Sequence, residues 1–446
     1  VTEQQWLVVA IGAVAGFVGV LAGIWMEARR RREQANAKHL EATRSRVIGE
    51  RVQSSEVMHL VRSQRRRERP RFWRRKSPDL TEAHLQRMDL RRQDLRHVVF
   101  FRADLEEAIL NQARLTASDL RFSNLASADL IDARLEGAKL NDSSLKQANL
   151  SRANLTRADL RNADLSDSNL SDAELRGANL RDAKLWKANL FGARTDERTR
   201  WDDKWRTVWE VVNHRKEGRR LHEADLRGAN LSTAMLAGAD LTDADLRDAV
   251  LHEADLRQAN LRGAYLHRAE IDETTRLDSK WRLVWEIVNA GVSGRALRDS
   301  DLAGANLSGA DLSGVDLEGA DLRESDLRGT NLNGARLARA SLHGAKIDDT
   351  TQLDPKWRLV WQVVNQGAAG RALAKANLAG AALSEAKLQG ANLSEADLDS
   401  ADLKRADLRD ADLSGAYLRH ASLKGAKLTG ANLDRADLAG AEIDEK

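Results

Sequence analysis

The sequence predicts a solenoid, a chain wound into short stacked coils. Three observations point to it. From Leu80 to Leu190 a large apolar residue returns at every fifth position, as at Leu85, Leu90, Leu95, Phe100 and Leu105. Two residues before each of them stands a small one, as at Ala103, Ala108, Ala113 and Ser118. A larger period is superimposed, since Trp205, Trp281 and Trp357 follow one another at 76 residues. A period of five fits neither the 3.6 of a helix nor the 2.0 of a strand. A chain that turns a corner every five residues fits it directly. Such a chain grows in one dimension, so 446 residues need not divide into several globular domains.

The N-terminal stretch Trp6–Trp25 is twenty residues without a charge. At about 1.5 Å per residue a helix of that length crosses the roughly 30 Å core of a bilayer. Residues 1–25 are therefore expected to form a transmembrane helix, with Trp6 and Trp25 at the two interfaces. Arg29, Arg30, Arg31 and Arg32 follow, and the tail before it has no Lys or Arg. The positive-inside rule then predicts a single-pass protein with its N-terminus outside and its C-terminal solenoid in the cytoplasm, in a bacterial inner membrane or a thylakoid. A signal peptide matches poorly, because the basic leading region is missing. Gly12, Gly16, Gly19 and Gly23 leave a small-residue face on which two such helices could pair.

Residues 26–79 read as a basic stalk. Residues 1–79 carry 17 Lys and Arg against 8 Asp and Glu, and the remaining 367 residues carry 54 against 60. The basic excess thus lies wholly at the N-terminus. Arg29 to Arg32, with Arg71, Trp73, Arg74 and Arg75, are the expected contacts to anionic lipid, at about 1 kcal/mol per basic residue near the surface. No nucleic-acid reader motif accompanies them, so nucleic acid is an unfavoured partner.

The repeated unit is clearest at Ala224-Asp225-Leu226-Arg227-Gly228, followed by Ala229-Asn230-Leu231-Ser232-Thr233. This A-[DN]-L-x-x run, over residues 80–443, resembles the pentapeptide-repeat family. The resemblance implies an all-β solenoid, a right-handed quadrilateral β-helix with four units to a coil of twenty residues and coils about 4.8 Å apart. Leu and the small residue would point inward. Asp301 would lie over Asp321, Asp311 over Asn331 and Asp316 over Arg336. Met88, Gln93 and Val98 break the small-residue pattern, so the first coil is expected to be irregular, with the stalk as its cap.

Three inserts interrupt the repeats. Their cores read WDDKWRTVWEVVN from Trp201, LDSKWRLVWEIVN from Leu277 and LDPKWRLVWQVVN from Leu353. Trp281, Val284, Trp285 and Val288 recur at helical spacing. Asp202, Asp278 and Asp354 stand where a helix N-cap belongs, with Pro355 at the first helical position. The expected division is then array 1 over 80–195, insert 1 over 196–220, array 2 over 221–271, insert 2 over 272–296, array 3 over 297–347, insert 3 over 348–372 and array 4 over 373–446. Eleven repeat centres plus one side from each insert make three whole coils, which would set the helices on one face about 14 Å apart. Their apolar stripe either packs on the solenoid or presents Trp205, Trp209, Trp281, Trp285, Trp357 and Trp361 to a partner.

No chemistry is legible. There is no cysteine, and the ten histidines are scattered without metal-ligand spacing. No phosphate loop or nucleophile elbow occurs. The expectation is a protein without enzymatic activity, cofactor or metal: a membrane-anchored scaffold or spacer that docks an unidentified protein. One alternative is a subunit or linker of a large membrane assembly such as a photosynthetic complex. A less favoured one is the DNA mimicry against topoisomerase known for some family members, which wants a strongly acidic surface. The C-terminal Ala441-Glu442-Ile443-Asp444 matches the start of an insert (Ala269-Glu270-Ile271-Asp272) with no insert after it. The end of the apolar column would be covered by the terminal residues or by a second copy in a homo-oligomer.

Overall fold

The computed structural model describes residues 53–66, 77–292 and 294–444. Two compact units, Val1–Trp209 and Glu210–Lys446, divide the chain. Both are built on the same coil. In each five-residue side the central Leu and the small residue two before it face inward, as with Leu226 and Leu231, both fully buried. The residue between them pairs with the one twenty positions on in a parallel bridge. Four sides thus close one coil. The stack predicted from sequence is present: Asp301 pairs with Asp321, Asp311 with Asn331 and Asp316 with Arg336.

The hydrogen bonds explain why the repeat has its residue types. Leu226 N–H donates to Asp245 C=O (2.9 Å), Gly228 N–H to Arg247 C=O (2.8 Å) and Asp245 N–H to Ala224 C=O (2.9 Å). Each side is therefore tied to the next coil three times. Ala229 N–H closes the corner on Leu226 C=O (3.0 Å). The corner needs a left-handed residue, with φ 62° at Gly228 and 55° at Glu223. Asp or Asn before the Leu has a specific task. Its side chain accepts the first amide of the corner, as Asp225 does from Arg227 (3.1 Å) and Asn230 from Ser232 (3.1 Å). At several sides where Arg follows the Leu, its guanidinium returns to the same carboxylate, as in Arg247–Asp245 and Arg323–Asp321, while Arg227 reaches Asp248 instead (3.6 Å). Each fully buried Leu contributes about 1.5–3 kcal/mol against the entropy of ordering its side.

Helix α1 (Ser54–Arg66) closes the first unit at its N-terminal end. Val57, Met58, Leu60 and Val61 are buried. Gln64 Oε1 accepts Asp79 N–H (2.8 Å), and Arg65 reaches Arg96 C=O (2.6 Å) and Asp94 (3.1 Å). This part of the expected stalk is a cap. The first coil beneath it is regular, bridging Asp79–Val99 through Asp94–Arg114, which corrects the expected irregularity. Met88 and Val98 are accommodated as buried side chains there. The expected transmembrane segment, the residues Arg29 to Arg32 and the run Arg71 to Arg75 lie outside the described residues. Among the described residues, no helix is long and apolar enough to cross a membrane.

The inserts form α2 (Asp203–Asn213), α3 (Ser279–Asn289) and α4 (Pro355–Gln366). Each follows a side of six residues rather than five, visible as the 21-residue bridges Asn179–Arg200, Asp255–Arg276 and Asn331–Gln352. In the second unit the re-entry can be traced. Gly263 N–H donates to Gly304 C=O (2.8 Å), which lays the Leu302 side on the Leu261 side. Leu297 precedes Leu302 by one side, as Leu256 precedes Leu261. Leu256 is already covered by the side that holds Arg276 (2.7 Å). The chain therefore leaves into α3 and returns to the same side. Arg339 N–H to Gly380 C=O (2.7 Å) and Leu332 N–H to Gln352 C=O (2.7 Å) repeat this around α4.

The consequence corrects the one-face expectation. The side of Leu353 and Leu373 is that of Leu332, one before the side of Leu337, and Leu337 stacks on Leu317 and Leu297. Thus α3 and α4 leave from neighbouring sides of the square. Counting each helix as an advance to the next side gives the wrong answer, because each adds a rung to the side it came from.

The six-residue corner has its own lock. Asp348 Oδ1 accepts the hydroxyl of Thr350 (2.6 Å), that of Thr351 (3.1 Å) and Gly329 N–H from the preceding coil (3.2 Å). Those bonds, the Thr350 hydroxyl foremost, hold its carboxyl down to about 2. A depressed folded pKa gives stability that is full above the unfolded value near 4 and is lost as pH falls through about 2. Asp348→Asn keeps an acceptor and removes the charge. Its melting temperature is expected to fall less steeply than wild type between about pH 4 and pH 2. Equal slopes in a thermal-melt series would remove Asp348 from the acid response.

Candidate docking surfaces

The insert helices were the first surfaces to weigh, and the structure places their tryptophans elsewhere. Trp205, Trp281 and Trp357 are buried, together with Val208, Val284, Ile287, Val360 and Val363. The buried stripe of α3 runs through Ile287, not the expected Val288. A lysine ammonium lies over each buried indole at 4.7–5.0 Å: Lys204 on Trp205, Lys280 on Trp281 and Lys356 on Trp357. Trp209, Trp285 and Trp361 are half-buried. Their indole N–H groups are spent on Ala193, Ala269 and Ala345 carbonyls, each at 2.7 Å. All six thus pack on the solenoid, three buried and three half-buried with the indole N–H bonded.

Those bonds have a common sense. Inside a coil the small-residue carbonyl accepts an amide from the next coil, as Ala249 C=O does from Glu270 N–H (2.8 Å). Where the coil stops, the indole takes that amide's place. Thr275 and Thr351 carbonyls receive Arg282 (2.7 Å) and Arg358 (2.6 Å). Asn365 gives Nδ2 to Leu342 C=O (3.0 Å) and takes Gly344 N–H on Oδ1 (2.6 Å). Asn289 does the same with Leu266 C=O (2.9 Å) and Arg268 N–H. The helix therefore imitates the edge of a missing coil with side chains. Asp278 and Asp354 make no side-chain cap bond to α3 and α4: Asp278 accepts Gln258 N–H (2.9 Å) instead.

Two other surfaces are open. In the first unit Phe101 and Phe122 meet edge to face at 5.5 Å, with Arg102 and Arg121 beside the Phe101 ring and Phe122 49% exposed. This group escaped the sequence reading. Its signal was two aromatic residues at outward positions 21 apart, which the twenty-residue coil makes neighbours. In the second unit the last described coil is more exposed than those before it. Leu428, Leu433 and Leu438 are half-buried and Ile443 is 42% exposed, whereas the Leu residues one coil earlier are buried. The last described residues continue the coil, with Glu442 paired to Ser422.

Among the described residues, no group of His, Cys, Asp or Glu could hold a metal ion. An open groove of about 450 Å³ is lined by Ser384, Glu385, Lys404, Arg405, Lys424, Gly425 and Asp444. Its charges answer each other, through Arg405–Glu385 (3.5 Å) within the groove and Lys424–Glu442 (3.3 Å) at its edge.

Comparison with known proteins agrees with the coil. A family model described as pentapeptide repeats (8 copies) matches in overlapping stretches over residues 79–194, 220–275, 296–351 and 376–445. No curated protein matches. Among solved structures, Rfr23 from the cyanobacterium Cyanothece 51142 is 40% identical over 21% of this chain, with a TM-score of 0.21. The match spans 64% of the length of Rfr23. HetL, a protein involved in heterocyst differentiation regulation in the cyanobacterium Nostoc sp. strain PCC 7120, is 30% identical over 68% of this chain and 100% of its own, with a TM-score of 0.24. QnrB1, a plasmid-mediated fluoroquinolone resistance protein, is 17% identical over 58% of this chain and 92% of its own, with a TM-score of 0.12. The repeats cover most of the sequence, and the chain belongs to the pentapeptide-repeat family.

Proposed function

We propose that this protein is a non-enzymatic, membrane-anchored scaffold that holds a protein partner through its solenoid. The observation that carries the reading is that the wall turns much of its charge on itself. Many of the Asp carboxylates before the Leu are taken by corner amides and by Arg two residues on, as at Asp245, Asp321 and Asp407. Beside them the wall offers shape and a few apolar surfaces. That is the inventory of a docking platform rather than an enzyme or an acidic duplex mimic. The anchor is assigned to Trp6–Trp25 on its length and lack of charge, with Arg29, Arg30, Arg31, Arg32, Arg71, Trp73, Arg74 and Arg75 at the lipid surface and the solenoid on the cytoplasmic side.

The test has two arms. In a vesicle-flotation assay with uncharged (zwitterionic) lipid, where the basic residues gain no attraction, the full chain is expected to float and a variant lacking residues 6–25 to stay at the bottom. Equal behaviour would remove the anchor. In the second arm the protein is drawn from native membranes in mild detergent and its companions are identified by mass spectrometry. A stoichiometric partner supports the scaffold, and recovery of the protein alone overturns it.

A further inference from the structure

Of the lysines laid on buried indoles, the one at the head of α4 differs from the one at the head of α3 in what faces it. Lys280 Nζ lies over Trp281 at 5.0 Å and reaches Asp301 Oδ1 at 2.8 Å. Asp301 also accepts the corner amide of Ala303 (3.0 Å). Lys356 lies over Trp357 at 4.7 Å, 76 residues on, and there the position of Asp301 is taken by Asn377. The backbone around Asn377 repeats that around Asp301. Asn377 pairs with Asp397 as Asp301 does with Asp321, and its Oδ1 accepts Ala379 N–H (3.3 Å). The other end of that amide is NH2, which has no lone pair to offer an ammonium. Among the described residues Lys356 makes no ion pair, and the carboxylate that acts on it is that of Asp397, one coil beyond Asn377.

Two effects push this nitrogen the same way. Burial favours the neutral amine over the ammonium, and no carboxylate at position 377 pulls it back. Its pKa accordingly lies below that of an ordinary lysine, with Asp397 opposing the shift. A neutral lysine carries a free lone pair and is a nucleophile where an ammonium is not. Lys356 is half-buried and both Pro355 and Asn377 are exposed, so a small reagent reaches it.

We infer that Lys356 is an acylation site, an amine placed to take an acyl group from an activated acyl donor. The unprotonated Nζ attacks the carbonyl carbon of the donor. A C–N bond forms, and the bond from that carbon to the leaving group breaks. The leaving group (phosphate, for an acyl phosphate) departs with the electron pair, and the nitrogen gives up a proton to solvent. The product amide carries no charge. It withdraws the ammonium from the face of Trp357, the residue that seats α4 between arrays 3 and 4. Lys280, ion-paired to Asp301 on the equivalent helix, is the internal comparison.

The probe is acetyl phosphate, given in limiting amount to the full chain in detergent at neutral pH, with acetylation of each lysine read by peptide mass spectrometry. Lys356 is expected to acetylate at least about fivefold faster than Lys280. Exchanging the facing residues should exchange the rates. Asn377→Asp should slow Lys356 to about the rate of Lys280, and Asp301→Asn should quicken Lys280 by at least about threefold. Both substituted positions are exposed, and circular dichroism should show both variants folded. In denaturant the two lysines should react alike, since Trp-Arg-Leu-Val-Trp follows each of them. Rates within about twofold of each other in the folded chain, rates that neither exchange moves, or a difference that persists in denaturant would each overturn the proposal.

Discussion

Alanine at Trp357 is expected to lower the stability of the second unit by about 3–5 kcal/mol. The side chain is 8% exposed, beneath Lys356 and beside buried Val360 and Val363. Removing it opens a cavity at the junction between two arrays. A solenoid is held by contacts between neighbouring coils, so a weak junction separates what lies on either side. The signature is therefore more specific than a lower melting temperature. Hydrogen exchange should show residues 373–444 losing protection before residues 221–347, where wild type exchanges them closer together. Uniform loss of protection, or a cost below about 1 kcal/mol, would mean that α4 is not structural. Trp361→Ala should be milder, because its half-buried ring gives up one hydrogen bond and less packing.

The second large effect contrasts two leucine-column positions with the same substitution. Leu403→Asp puts a carboxylate at a site with no exposure, between coils that offer no partner, and is expected to cost more than about 4 kcal/mol. Ile443→Asp, in the last described coil, is expected to stay within about 0.5 kcal/mol of wild type. Denaturant titration of the two variants measures both. A cost at Ile443 comparable to that at Leu403 would show that something covers the end coil in solution.

The five-residue period was legible because the apolar column demands it at nearly every side. A single sequence repeated dozens of times carries its own statistics, and Leu226, Leu231 and their equivalents lie where the pattern put them. The role of Asp and Asn was only half legible. Their outward position follows from the period, but the bond from Asp225 to the Arg227 amide depends on corner geometry that spacing does not reveal. The inserts were legible as helices from Trp281, Val284 and Trp285, and opaque in how they join. Twelve sides per module suggested a return to the starting face. Only the bond from Gly263 to Gly304 discloses that the chain re-enters the side it left. The tryptophans left two readings open for a related reason. A stripe of Trp and Val has the composition of an interface hot spot and of a buried cap alike. What distinguishes the two is the carbonyl waiting at Ala269 or Ala345, which lies outside the helix.

The repeated rung at each insert sets a phase as well as a spacing. Going from α3 to α4, the module of 76 residues returns the pattern to itself one side early. Lengthening such a chain by whole modules would not line its helices up like rungs of a ladder. Each new one would appear a quarter of a circuit from the last, and a fifth would be the first to match the first. Excising residues 277–352 would rejoin two sequences of the same pattern with every core contact kept, yet would turn the C-terminal coil by one side relative to the array before it. Gain or loss of a module is thus an indexing step, one that redirects the array after it while leaving the coil unchanged.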